Sequence, residues 1–541
     1  MPSDSGPRRR ESAPAPAGGT VGRCVDVTAG VPAPASPGVR SRARRGTALI
    51  LALALAWSPA AGLRAADGGG YASNLPALGD SASEELSPLA ERRLGEEIMR
   101  QIRANSDDLD DPDTVEYLNR FGEQLASHAP AGSPGFEFFA VKDPSINAFA
   151  LPGGFIGVHT GLLLSSQSES ELAGVIGHEM GHVTQRHIAR SLAAQREASY
   201  GTLALLALAI LAGRAGNGQV AQAAAAGGVG FAAQNQLAFS REAEREADRV
   251  GVQFLEDSGF DVTGMVDFFG RLQQANRFYE RAAPAYLRTH PLTTERIADI
   301  QGRVREARYR QRLDSPEFQL VRARLRVIQD DTAQGWREAR IAFGEQLRNG
   351  TTALRPAAHY GLALLALRQR DYPVARRELD GARADLRARS PMLDKLAVEI
   401  ASQSGDKAGA IELARAARNQ FPQSRMLAVG YAEALQQAER HDEAIAFLRD
   451  QINLYRQEPN LYSMIAKSYA ARANDLQTHK ALAESFYLRG NLRGAVDQLQ
   501  MARRSRAAAD FYEASQIDAR TREIQRLLQE RERGAREGGQ R

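Results

Sequence analysis

Residues 174–187 read GVIGHEMGHVTQRH, two histidines four apart with a glutamate beside the first. On an α-helix positions i and i+4 share a face, so His178 and His182 can present two neutral imidazole nitrogens to one ion. Glu179 stands about a hundred degrees round that helix, within reach of a water beside the ion without being obliged to bind it. Two ligands and a general base in this HExxH order suit hydrolysis of a peptide bond. Such a pentapeptide arises by chance in roughly one chain in a hundred of this composition, so the chemistry needs a helix to carry it and a further ligand.

A catalytic zinc ion takes three protein ligands and keeps one position for water. The only cysteine, Cys24, lies in the leader, so the third donor has to be His, Glu or Asp. The stretch SREAEREADRVG, 240–251, also reads as helix and puts Glu244 and Asp248 on one face. There Glu244 could bind the ion while Asp248 accepts a hydrogen bond from the far nitrogen of His178 or His182. Periodicity alone does not choose among Glu242, Glu244 and Glu246. His159 reads as a strand-end residue, and His187 would point away from His182 on a continuous helix, so neither is taken as a ligand. His128, His359, His441 and His479 have no carboxylate or histidine at ligand spacing and read as surface residues.

The elements that must position these side chains are legible. Ser166 with Glu169, or Ser168 with Glu171, fits a capping box that starts a helix just before the motif. Ahead of it, FEFFAVKD and NAFALPGGFIGVHTGLL read as strands of a small sheet, with Pro152-Gly153-Gly154 as the turn between Asn147–Ala150 and Phe155–Val158. Leu86 to His128 spaces its apolar residues three and four apart, as helices do. After the motif, GTLALLALAILAG and a Gly- and Ala-rich stretch to Ala233 read as a buried or interfacial helix; a cover over the site or a membrane contact are the alternatives.

From about Arg322 to Arg533 the pattern is almost wholly helical and it repeats. RDYPVARREL, GDKAGAIELA, RHDEAIAFL and GNLRGAVDQL align on Ala375, Ala410, Ala444 and Ala495, with separations of 35, 34 and 51. A period of ~34 is that of the tetratricopeptide helix hairpin, where a small residue lets paired helices touch. The longer gap predicts one additional helix before the last repeat, and Pro422 falls where a turn between repeats is expected.

The formal charge of +4 belongs to the first 66 residues, where nine Arg face only Asp4, Glu11 and Asp26. The remainder is slightly acidic, which argues against a nucleic-acid partner. The leader itself, Arg40 to Arg45 followed by GTALILALALAW and the small residues of SPAAGLRAA, reads as a cleaved signal peptide whose apolar run is too short to be a good membrane span. The expected division is a leader over 1–66, a catalytic domain over 67–315 and helical repeats over 316–541.

The order HExxH, then S-R-x-x-E-x-x-A-D some sixty residues later, then T-H-P and an Arg, resembles the M48 zinc metallopeptidases; here it is Ser240-Arg241, Glu244, Ala247-Asp248, Thr289-His290-Pro291 and Arg296. HVTQRHIAR, SGFDVTGM and the repeats are most similar to periplasmic members of that family, closely over about 75 to 310 and loosely beyond. The resemblance implies a mainly α chain: a zincin-like metalloprotease domain with a small β-sheet, then an α-helical tetratricopeptide solenoid. It makes His178, His182 and Glu244 the ligands of one Zn2+, Glu179 the base and Asp248 the carboxylate behind a ligand. His290 and Arg296 are placed near the metal, to steady an oxyanion or, for His290, to take the fourth zinc position in a self-repressed state. Substrate would pair with Asn147, Ala148, Phe149 and Ala150 as an added strand. The implied role is a periplasmic endopeptidase that degrades stalled or misfolded outer-membrane β-barrel proteins and assists their assembly, with repeats that recruit clients and the insertion machinery. Peripheral membrane contact is a further expectation, and a chaperone or docking protein with a latent site is the alternative.

Overall fold

The computed structural model describes residues 86–104, 108–194, 240–278, 284–307, 310–505 and 510–538. The leader over 1–66 and the apolar stretch over 200–233 lie outside the described residues. Pro at the first helical position starts α1, Pro88–Ala104, and α2, Pro112–Ala126, the latter capped by Asp111, which accepts from Thr114 N at 3.0 Å. Three short strands rich in Phe, Val and Ile follow: β1, Glu137–Val141; β2, Ala148–Leu151; and β3, Phe155–His159. They form one sheet in the order β1-β3-β2, with β1 parallel to β3 and β2 antiparallel to it, Ala148 facing Val158 and Leu151 facing Phe155. The turn needs its glycines: Gly153 has φ +77° and a Cβ there would meet Arg92 Cα at 2.5 Å.

A short helix α3, Thr160–Ser165, leads to α4, Glu169–Thr184, which carries the motif. Of the two capping candidates, Ser168 is the cap; its Oγ accepts from Glu171 N, and Glu171 reaches back to Gln167 N at 2.6 Å. The helix is buried on all sides from Glu169 to Val183, against β2, α6 (Arg241–Asp257) and α7 (Thr263–Phe278). α5, His187–Ala194, comes between α4 and α6, and α8, Ala285–Thr289, and α9, Thr294–Glu306, complete the first half.

The second half is wholly helical in its described residues. α10 (Pro316–Ile328) and α11 (Ala333–Asn349) precede the hairpins α12/α13 (Arg355–Arg368, Tyr372–Leu386), α14/α15 (Pro391–Gln403, Lys407–Gln420) and α16/α17 (Arg425–Gln437, His441–Leu454). Then come α18 (Pro459–Ala471), α19 (Asp475–Leu488), α20 (Leu492–Arg504) and α21 (Phe511–Gly538). The aligned alanines, Ala375, Ala410, Ala444 and Ala495, are all fully buried where helices touch. Two helices, α18 and α19, lie between those of Ala444 and Ala495 where a regular hairpin array has one, so the long spacing is the additional helix. Pro422 sits in the α15–α16 turn.

Ala77–Arg541 forms one compact unit, and a single apolar core runs from Tyr117 and Leu118 through α4 to Met426 and Leu427. Acidic residues around the start of α2 dock it against successive repeats. Asp111 accepts from Arg324 at 2.6 Å, Asp113 from Lys395 at 2.6 Å and Glu116 from Met426 N at 2.7 Å, while Asp110 accepts from Asn460 at 2.6 Å and from Arg489 at 3.0 Å. No described helix is long and apolar enough to cross a membrane.

Candidate metal centre

Close helix contact brings the two motif helices together. Gly177 and Gly181 on α4 face Ala247 and Gly251 on α6, and a Cβ at Gly181 would stand 2.9 Å from Ala247 Cα. At that spacing Glu244, in the first turn of α6 behind the Ser240 cap, reaches over His178 and His182. The end of α8 delivers His290, whose N–H is bound to Tyr286 O, and Thr293 caps α9 so that Arg296 follows in its first turn.

His178, His182, Glu244 and His290 are all buried, and each offers one ligand atom within 4.8 Å of the others. The Nε2 atoms of His178 and His182 are 3.0 Å apart, and each lies 3.5 Å from an oxygen of Glu244. His290 turns Nδ1 inward, 3.0 Å from Glu244 Oε1 and 3.4 Å from His178 Nε2. Its other nitrogen is 3.6 Å from Glu179 Oε1.

Around these groups stands a shell of buried partners. His178 Nδ1 lies 2.9 Å from Asp248 Oδ1, close but off-axis for a hydrogen bond. Arg296 donates to both oxygens of Asp248 at 2.7 Å and to Pro291 O at 2.8 Å, and its Nη1 lies 2.6 Å from Glu244 Oε2. The guanidinium suggested by resemblance for an oxyanion is here engaged in holding two carboxylates. His187 departs from expectation: its Nδ1 is 2.8 Å from His182 Nδ1 and its Nε2 is 3.0 Å from Glu246 Oε2.

The charges follow from this packing. Burial opposes a charged His178, yet Asp248 and Glu244 beside it push the ring up to about 9. Burial drives His182 well below the usual histidine range. Glu244 is held well below the usual carboxylate range against its burial, by the charge of His290 and by hydrogen bonds from His178 and His182. Asp248 is lowered as well, its burial outweighed by Arg296 and His178.

These residues fit a divalent ion. Two ring nitrogens 3.0 Å apart need a proton or a cation between their lone pairs. Both oxygens of the fully buried Glu179 lack a hydrogen-bond partner among the described residues, a costly arrangement unless the carboxylate serves a reacting group. A set of imidazoles with one carboxylate and no sulfur suits zinc.

Of the remaining candidates, Ala148–Ala150 fall in β2, with Asn147 just before it, at the free edge of the sheet among the described residues and packed on α4. His159 ends β3, bonded to Ser145 Oγ at 3.1 Å, and stands outside the metal cluster. His359, expected as an unpartnered surface residue, is half-buried and meets Glu378 at 2.9 Å, a tertiary contact invisible to sequence spacing. Tyr286 was missed: it stacks on His290 with ring centroids 4.6 Å apart, and its buried hydroxyl has no hydrogen-bond partner among the described residues.

Comparison with known proteins finds relatives over both halves of the chain. Residues 112–304 match the model of peptidase family M48, and residues 401–468 match a tetratricopeptide repeat. The chain is 32% identical over 464 residues to the beta-barrel assembly-enhancing protease of Escherichia coli K12, covering 85% of this chain and 93% of that protein. The protein of the same name from Yersinia pestis is 30% identical over 457 residues, 84% of this chain and 92% of its own. A putative beta-barrel assembly-enhancing protease of Vibrio cholerae is 38% identical over 301 residues, 54% of this chain and 60% of its own.

Proposed function

The chain belongs to peptidase family M48, with tetratricopeptide repeats behind the metallopeptidase domain, and on that premise we propose that it is a periplasmic zinc-dependent endopeptidase acting on unfolded or stalled outer-membrane β-barrel proteins. The observation that carries this reading is the buried group of three imidazoles and one carboxylate within 4.8 Å, set beside the Glu179 carboxylate, whose oxygens have no hydrogen-bond partner among the described residues. His178, His182 and Glu244 would hold the ion. When bound, the ion supplies Lewis acidity at the scissile carbonyl and toward the attacking water.

The chain's own residues do the rest. Glu179 takes a proton from that water and passes it to the leaving amine. Asp248 and Arg296 keep His178 and Glu244 aligned through the contacts already described. An extended client adds itself to the edge of β2, which reads backbone more than side chain and so suits unfolded polypeptides. The repeats bring clients and assembly partners to that edge.

A second reading is favoured by one observation, the inward Nδ1 of His290. Were His290 to serve as a fourth donor, the resting site would be closed to substrate, and the repeats alone would then serve as a chaperone or docking platform. Purified chain and Glu179→Gln, both loaded with zinc, are given a stalled β-barrel precursor. Removing a general base costs about 10²–10⁴ in rate, so the precursor should be degraded by the parent alone. Equal rescue of folding by both, without cleavage by either, would leave the chaperone reading standing in its place.

A further inference from the structure

His187 follows a break in the helix that carries the motif. Arg186 has φ +52°, in the left-handed region, and its guanidinium is tied to Glu91 at 2.7 Å and to Leu86 O at 2.6 Å. On a continuous helix the side chain five positions after His182 would point about 140° away. The break swings it back, and its imidazole, itself buried, meets His182 nitrogen to nitrogen at 2.8 Å.

The direction of each hydrogen bond is then forced. A His182 that offers Nε2 to an ion carries its proton on Nδ1 and donates it to His187 Nδ1. His187 must therefore hold its own proton on Nε2, which points to Glu246 Oε2 at 3.0 Å. Glu246 accepts there as an anion and also accepts from Arg190 Nη1 at 3.0 Å. We propose that His187 and Glu246 are positioning residues that fix the tautomer and the aim of His182 toward the metal. α6 thus reaches one histidine directly through Asp248 and the other through His187, from Glu246 two residues away.

This proposal rests on the metal-site reading above. Its test is zinc affinity, measured on the metal-free full chain in competition with a chromophoric chelator. Loss of such a supporting partner weakens binding about 10–100-fold, the effect expected of His187→Ala and Glu246→Ala. His187→Gln should regain most of the affinity, because its amide oxygen can accept from His182 and its N–H can donate to Glu246. The visible bands of the cobalt-loaded protein should shift in His187→Ala and return in His187→Gln. Parent affinity in His187→Ala, or a loss in His187→Gln as large as in His187→Ala, overturns the proposal while leaving the metal site intact. A parent that takes up no zinc overturns the site reading and this one together. Should metal-free His187→Ala melt far below the parent, the surface variant Glu246→Ala decides, and parent affinity in it overturns the relay.

Discussion

A methyl group built on Gly251 of α6 would stand 3.0 Å from the backbone nitrogen of His178 on α4. The contact is backbone to backbone, so no flexible side chain can give way. Gly251→Ala should therefore cost about 1–3 kcal/mol, the usual penalty for overpacking. Because the same displacement carries Glu244 away from the histidines, zinc affinity should fall with the melting temperature. Gly270→Ala on α7, where nothing among the described residues lies within 4 Å, is the control and should be neutral or stabilising by up to about 1 kcal/mol. Unchanged melting and affinity in Gly251→Ala would count against glycine-mediated spacing.

His290→Ala separates the two roles open to that residue. If its inward nitrogen closes the site, casein hydrolysis by the zinc-loaded variant should rise several-fold. A fall of about 10²–10³ is the cost of losing an oxyanion donor and would assign His290 to the transition state instead.

Lys395 is buried in the second half, with Nζ 2.6 Å from Asp113 and 2.7 Å from Glu399. Burial opposes its charge, and these two carboxylates hold the ammonium above the usual lysine range all the same. Lys395→Met leaves Asp113 with Arg324 at 3.4 Å as its remaining cation and Glu399 without its lysine, and should destabilise by up to about 3–5 kcal/mol in urea unfolding. Adding Asp113→Asn should recover a large part of that loss, and additive effects would show the pair is not coupled.

Asp108, near the start of α2, has its carboxyl pushed from 3.8 to about 6 by burial, helped by Asp110 and Glu458 and opposed chiefly by Arg103 at 3.8 Å. A folded-state value above the unfolded one favours the native state most below pH ~4, and that advantage is lost as pH rises through about 6. Asp108→Asn cannot ionise, so relative to the parent it should gain stability between pH 4 and pH 7.5, by at most about 3 kcal/mol. Urea midpoints of the metal-free proteins at the two pH values measure it. An equal difference at both would refute the shift.

The elements were legible because their signals are local. Ser166 with Glu169 or Ser168 with Glu171 brackets the start of α4 to within two residues, Gly153 and Gly154 mark the hairpin, and the alanine spacing even locates the additional helix before Ala495. Sequence reasoning failed at contacts made by breaks and by distance. His187 was turned away on the assumption that α4 continues, which the left-handed Arg186 cancels. Periodicity could not separate Glu244 from Glu242 and Glu246, since only the approach of α4 and α6 decides which carboxylate meets the histidines. The partners of Asp111 and Asp113 lie more than two hundred residues on, at Arg324 and Lys395, and no spacing rule connects them.

The acidic series at the start of α2 also sets what the solenoid can do mechanically. Each carboxylate is answered by a different turn of the coil, so uncurling it would strand several charges at once. The coil is therefore a fixed gauge and not a swinging arm. On the function proposed above, cargo gripped on its remaining faces would be presented to β2 at a constant distance and bearing, and how far a polypeptide dangles from the grip would determine where it meets the blade.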